Sequence, residues 1–123
     1  MASGINPRPE ILTQPGLESD HRWQLLQRVA ASPAFQKSNR LRELLLYIGE
    51  RSLREPAAAI REHEIGVEVF ARPANFDTSQ DTLVRVQASQ LRKKLQRYFD
   101  EDEPDESIVM EIPKGAYSLV FSP

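Results

Sequence analysis

The residues of this chain whose types and spacing could do chemistry are amides, a hydroxyl and cations: Arg85, Ser89, Gln90, Lys93, Gln96 and Arg97 in one stretch, and Lys114 further on. Gln and Arg side chains make paired hydrogen bonds to the edges of adenine and guanine, while Lys and Arg neutralise phosphates. At 100° per residue the first six share one side of a helix with Val86, opposite an apolar stripe of Val84, Ala88, Leu91, Leu95 and Tyr98. Arg92 and Lys94 flank that stripe and read as packing or ion-pairing residues. The chemistry on offer is recognition of double-stranded DNA. A plainer reading stands beside it, in which the charged face is simply solvated and its long stems cover neighbouring apolar surface.

Patterns for catalysis are broken or missing. His63-Glu64 opens an H-E-x-x-H zinc motif, but position 67 is Val, so the second ligand is lacking. His63 reads as a surface or helix-start residue and His21 as a first-turn residue. There is no cysteine, which excludes disulfides, thiolate zinc sites and cysteine nucleophiles and fits a reducing compartment. The five glycines form no phosphate loop, G-x-S-x-G or dinucleotide fingerprint. Gly115 suits a turn with positive φ, and Gly66 a close approach of its helix to a neighbour. Trp23, Phe35, Tyr47, Phe70, Phe76, Tyr98 and Phe99 read as core, since none belongs to an exposed series on a strand. Neither an enzyme nor a bound cofactor, metal or small-molecule substrate is expected.

The net charge of −2 is unevenly spread. Asp100, Glu101, Asp102, Glu103, Asp105 and Glu106 form an acidic run without a base, leaving sixteen bases against twelve acids elsewhere. Between Ser79 and Arg97 five bases face one acid, Asp81. Positive charge is therefore concentrated on one element, as a nucleic-acid footprint requires. The acidic run reads as a solvated, disordered loop; it could also repel DNA on one side or pair with the basic face of a second copy. No stretch approaches a membrane span and the N-terminus lacks the apolar region of a secretory signal, so a cytoplasmic, nucleoid-associated protein is expected.

The elements that must position these residues follow from capping and periodicity. Residues 1–18 hold Pro7, Pro9 and Pro15 with no apolar period and read as a flexible arm; one domain covers 19–123. Asp20 can cap a helix to about Ala31, with Trp23, Leu26 and Ala30 on one face, ended by Ser32-Pro33. Ser38 can cap a second, in which Leu41, Leu44, Leu45 and Ile48 line one face. A short strand is predicted near Ala58–Ile60 and a short helix over Glu62–Phe70. Phe76 pins the following loop to the core, and the long basic helix runs from about Ser79 to Phe99. Ile108–Ile112 and Tyr117–Phe121, joined by Pro113–Ala116, predict a β-hairpin with Ile108, Met110, Ile112, Tyr117, Leu119 and Phe121 on its inner face.

This order, and the run Val84-Arg85-Val86-Gln87-Ala88-Ser89-Gln90-Leu91-Arg92-Lys93-Lys94-Leu95, resembles the recognition helix of OmpR/PhoB-type effector domains, V-D-V-H-I-x-x-L-R-K-K-L. Ile112-Pro113-Lys114-Gly115-Ala116-Tyr117 looks like that family's wing, and Arg61-Glu62 like the opening of its second helix. Ile65-Gly66-Val67-Glu68-Val69-Phe70 and Phe76-Asp77 add a similarity to a variety found at the N-terminus of bacterial signalling proteins, often ahead of tetratricopeptide repeats. The chain departs from the pattern at Arg85, where an acid is usual, at Ser89 and Gln90, where several members carry arginines, and at Pro113, where the wing has Arg. Lys114 is then the wing's remaining cation. The family's N-terminal sheet has no counterpart, and with no receiver domain in these residues phosphorylation control is not expected.

The resemblance implies an α+β, mostly helical fold: a winged helix-turn-helix with an extra N-terminal helix and a C-terminal hairpin wing. It further implies a sequence-specific regulator of transcription that binds double-stranded DNA, with which a homodimer is compatible. Helix 79–99 would enter the major groove and hairpin 108–121 would touch backbone or minor groove. The alternative, favoured by the acidic run and low pI, is a winged-helix protein-interaction or oligomerisation module that ignores DNA.

Overall fold

The first helix of the computed structural model, which describes residues 17–123, is set by one carboxylate. Asp20 accepts the Arg22 N–H at 2.8 Å and the Arg22 guanidinium at 2.7 Å, satisfying an otherwise unpaired donor at the start of α1, His21–Ala30. The arm expected over 1–18 lies outside the described residues except for Leu17 and Glu18, which enter a turn closed by Asp20 N–H on the Leu17 carbonyl. Pro33 opens a single 3-10 turn, Pro33–Phe35, that buries Phe35 completely.

Helix α2 spans Asn39–Arg54 and buries Leu41, Leu44, Leu45 and Ile48, the predicted face. Ser38 differs from expectation: its side chain makes no capping bond, and its carbonyl takes the Arg42 N–H instead. The strand predicted near Ala58–Ile60 is not formed. Glu55–Ala58 is a turn, with Ala58 N–H on the Glu55 carbonyl, and only Ile60 reaches the core. Two local facts oppose pairing there: Pro56 has no N–H to give, and the nearby Leu119 N–H is taken by Ser52 Oγ at 2.9 Å.

Helix α3, Glu62–Glu68, ends two residues earlier than predicted, with Phe70 still buried. Gly66 is where α3 approaches its neighbour most closely, because a Cβ there would lie 2.2 Å from Phe76 Cζ. Phe76 also stacks on the His63 ring at 4.9 Å, so it pins the loop to α3 rather than joining the core as its sequence suggested.

Helix α4 runs Leu83–Arg97 rather than from Ser79. The carboxylate of Asp77 takes the Ser79 N–H and hydroxyl, and that of Asp81 takes the Leu83 N–H. Short acids that bond their own backbone in this way stop helix from propagating backwards. At its other end α4 widens into a π-type turn, Tyr98–Asp102, so the acidic run begins on helix, and only its second half, from Glu103, is the exposed loop predicted. Its last member, Glu106, is held by Arg28 of α1 at 3.0 Å.

The hairpin is shorter than its apolar pattern suggested. β1, Val109–Glu111, pairs antiparallel with β2, Val120–Ser122, Met110 opposite Phe121. Residues 112–119 connect them, with Gly115 at φ +82° in the turn. Met110, Ile112 and Leu119 are buried, as the predicted inner face requires, while Ile108, Tyr117 and Phe121 pack against the core edge. The result is a mostly helical α+β fold in which α4 is central, touching α2, α3 and β1. No described helix is long and apolar enough to cross a membrane.

Candidate nucleic-acid interface

Helix α4 divides its own side chains by what its apolar stripe forces inward. Val84, Ala88, Leu91 and Leu95 are buried, so the opposite face must be solvent-facing, and Arg85, Val86, Ser89, Gln90, Lys93, Gln96 and Arg97 are all exposed. The structure therefore brings Arg85, Ser89, Gln90, Lys93 and Arg97 together on one open face. Gln96 sits at its margin, lining an open groove of about 400 Å³ between α4 and the hairpin that Asp100, Glu111 and Lys114 also line. Lys114 is exposed on the hairpin turn across that groove.

The two cations flanking the stripe are consumed inside the fold. Arg92 donates to three main-chain carbonyls of the hairpin connection: Ile112 at 3.0 Å, Pro113 at 3.3 Å and Ala116 at 2.9 Å. This bond set fixes the turn bearing Lys114 against α4. Lys94 donates to the Ala34 carbonyl at 2.9 Å and lies over the Phe35 ring, tying the other flank of α4 to the 3-10 turn. Both act as the packing residues that helix geometry predicted.

Among the face residues, two have intramolecular partners. Arg85 donates to the Thr78 carbonyl at 3.0 Å and lies 3.8 Å from Glu62, while its side chain keeps 47% exposure. Arg97 pairs with Glu101 at 3.5 Å, both ends well exposed. The Arg97 pair, open at both ends, contributes at most about 1 kcal/mol and leaves that cation free, whereas Arg85 faces a Glu62 carboxylate that is only 19% exposed.

Glu62 was legible in the sequence only as the opening of its helix, yet it joins three elements. It accepts from the Tyr117 hydroxyl of the hairpin at 3.3 Å, and its other oxygen, closed off from solvent and without a hydrogen bond, faces Arg85. Burial first, then the Glu62 charge, pushes the Tyr117 phenol up from its ordinary value. The partners lie 23 and 55 residues from Glu62 in sequence, so no local pattern marks them.

The connection from α3 to α4 is stiffened by acids. The Asp81 carboxyl is held below the usual carboxylate range by the Leu83 N–H and then by Arg72, which lies 2.7 Å from it. Asp77 is lowered by the Ser79 hydroxyl and N–H. Across α2 and α3, Glu64 accepts from Tyr47 and pairs with Arg51. His63 is exposed and bonded through Nε2 to the Ala74 carbonyl at 2.7 Å, a loop contact. No family model, curated protein or solved structure matches this chain.

Proposed function

We propose that the chain is a winged helix-turn-helix domain that binds double-stranded DNA sequence-specifically and regulates transcription. Helix α4 enters the major groove with Arg85, Ser89, Gln90, Lys93 and Arg97; Gln96 lies at its margin, and the hairpin sets Lys114 against backbone or minor groove. One observation carries the reading. Of the cations on α4, Arg92 and Lys94 are used to hold neighbouring elements, whereas Lys93 and Arg97 stand on an open face with amides that can read base edges.

The test is titration of a mixed duplex pool by fluorescence anisotropy. Reversing both charges, Lys93→Glu with Arg97→Glu, is expected to abolish binding. Wild-type affinity should fall with salt at a log-log slope of about −0.9 per phosphate neutralised. Unchanged affinity in the double variant would remove α4 from the groove.

A second reading has a specific observation behind it: the exposed acids Asp100–Asp105 adjoin the basic face at the C-terminal end of α4. A protein-interaction module using both signs of charge would assemble in light scattering without DNA and ignore added duplex.

A further inference from the structure

Only two large apolar side chains are exposed among the described residues, Val86 at 46% and Val120 at 40%. Val86 stands at the centre of the open face of α4. At 100° per residue Lys93 and Arg97 lie within about 20° of it and Gln90 is one turn along. A β-branched residue at a solvated helix position is a poor choice for the helix itself, because it loses χ1 freedom and gains no core packing in return. Its isopropyl group also cannot nucleate a protein interface alone, since a lone apolar side chain ringed by Arg85, Gln90 and Lys93 makes no patch.

A contact that needs only one isopropyl group is that with a methyl group. In a major groove the thymine C5-methyl is the apolar feature of the base edges, and an amide one helical turn away can pair with adenine N6 and N7. We propose that Val86 packs on a thymine methyl while Gln90 reads a neighbouring adenine, so that the centre of α4 selects A·T pairs. This rests on the DNA-binding reading above and deepens it by naming the base composition that the face prefers.

The experiment begins with selection of bound sequences from a random duplex library by the full chain. Each thymine of the selected site is then replaced by uracil, which removes the C5-methyl and leaves base pairing intact. Wild type is expected to lose about fourfold in affinity at one position, the worth of one buried methyl group. Val86→Ala should bind thymine and uracil duplexes alike at that position while keeping its circular dichroism spectrum. Wild type tolerating uracil everywhere, or Val86→Ala keeping the discrimination, overturns the inference and leaves DNA binding standing. Failure to enrich any duplex at low salt removes the DNA-binding reading itself. Self-assembly without DNA that Val86→Ala dissolves assigns this valine to a protein contact and overturns the inference as well.

Discussion

Three carbonyl oxygens of the hairpin connection converge on the guanidinium of Arg92, and a planar fork of donors is the group able to serve them together. Arg92→Ala should lower stability by about 2 kcal/mol, the range for hydrogen bonds to a charged group, and hasten amide exchange in the paired strands of the hairpin. Arg92→Lys should recover little of this, because a single ammonium cannot span the three acceptors. Unchanged protection of the hairpin in Arg92→Ala would show that apolar packing alone holds it. That Arg92 and Lys94 turn inward was legible from their place beside the stripe. Which acceptors they reach was not, because those lie 20 to 24 residues away for Arg92 and 60 for Lys94. Ser89, Gln90 and Lys93 were legible as exposed for the same geometric reason. The engagement of Arg85 by Thr78 and Glu62 depends on how α3 and the α3–α4 loop fold back, which periodicity does not encode.

Helix α3 approaches the loop before α4 most closely where Gly66 meets Phe76, and the cost of filling that space depends on the ring. Gly66→Ala in the wild-type background should destabilise by about 1–3 kcal/mol, since a Cβ would overlap the ring and one of the two elements must shift. In a Phe76→Ala background the space is open and alanine is the better helix former by about 1 kcal/mol, so the same substitution should become neutral or stabilising. A double-mutant cycle by urea denaturation measures this reversal, and additive effects would disprove the close approach. Helices α1, α2 and α4 were legible because each carries an apolar period of about 3.6 and, for α1, a capping acid. Errors fell where local polar groups compete with the ladder. Asp77 and Asp81 moved the start of α4 from Ser79 to Leu83. Pro56 and the Ser52–Leu119 bond left Ala58–Ile60 without a partner strand. The hairpin kept its predicted inner face, because a period of two survives even where the hydrogen-bonded ladder covers only three pairs.

At the scale of the whole molecule, ionisable groups at distant points should close the stability window from both sides. Asp20, which caps α1, has its carboxyl lowered from 3.8 to about 2 chiefly by the Arg22 guanidinium, and Asp77 and Asp81 are lowered by the donors around them. A depressed carboxyl stabilises the fold above its unfolded value near 3.8 and loses that contribution as pH falls through its folded value. At the alkaline end Tyr47, Tyr98 and Tyr117 are all raised above 10.0, by burial first. For Tyr98 the carboxylates of Glu106 and Glu103 add to the effect, so the acidic run opposes a phenolate in the core. A raised phenol contributes fully below the unfolded value of 10.0 and is lost as pH rises toward its folded value. The urea midpoint should therefore be steadiest between these limits, falling below about pH 4 and above about pH 10. Asp20→Asn keeps a side-chain oxygen for the Arg22 N–H but cannot titrate, so it should flatten the acid limb between about pH 4 and pH 2 relative to wild type. Tyr98→Phe should likewise soften the alkaline limb, because the hydroxyl whose ionisation favours the unfolded chain is gone. If both variants follow the wild-type profile at both ends, these groups do not control the window, and titration elsewhere in the chain does.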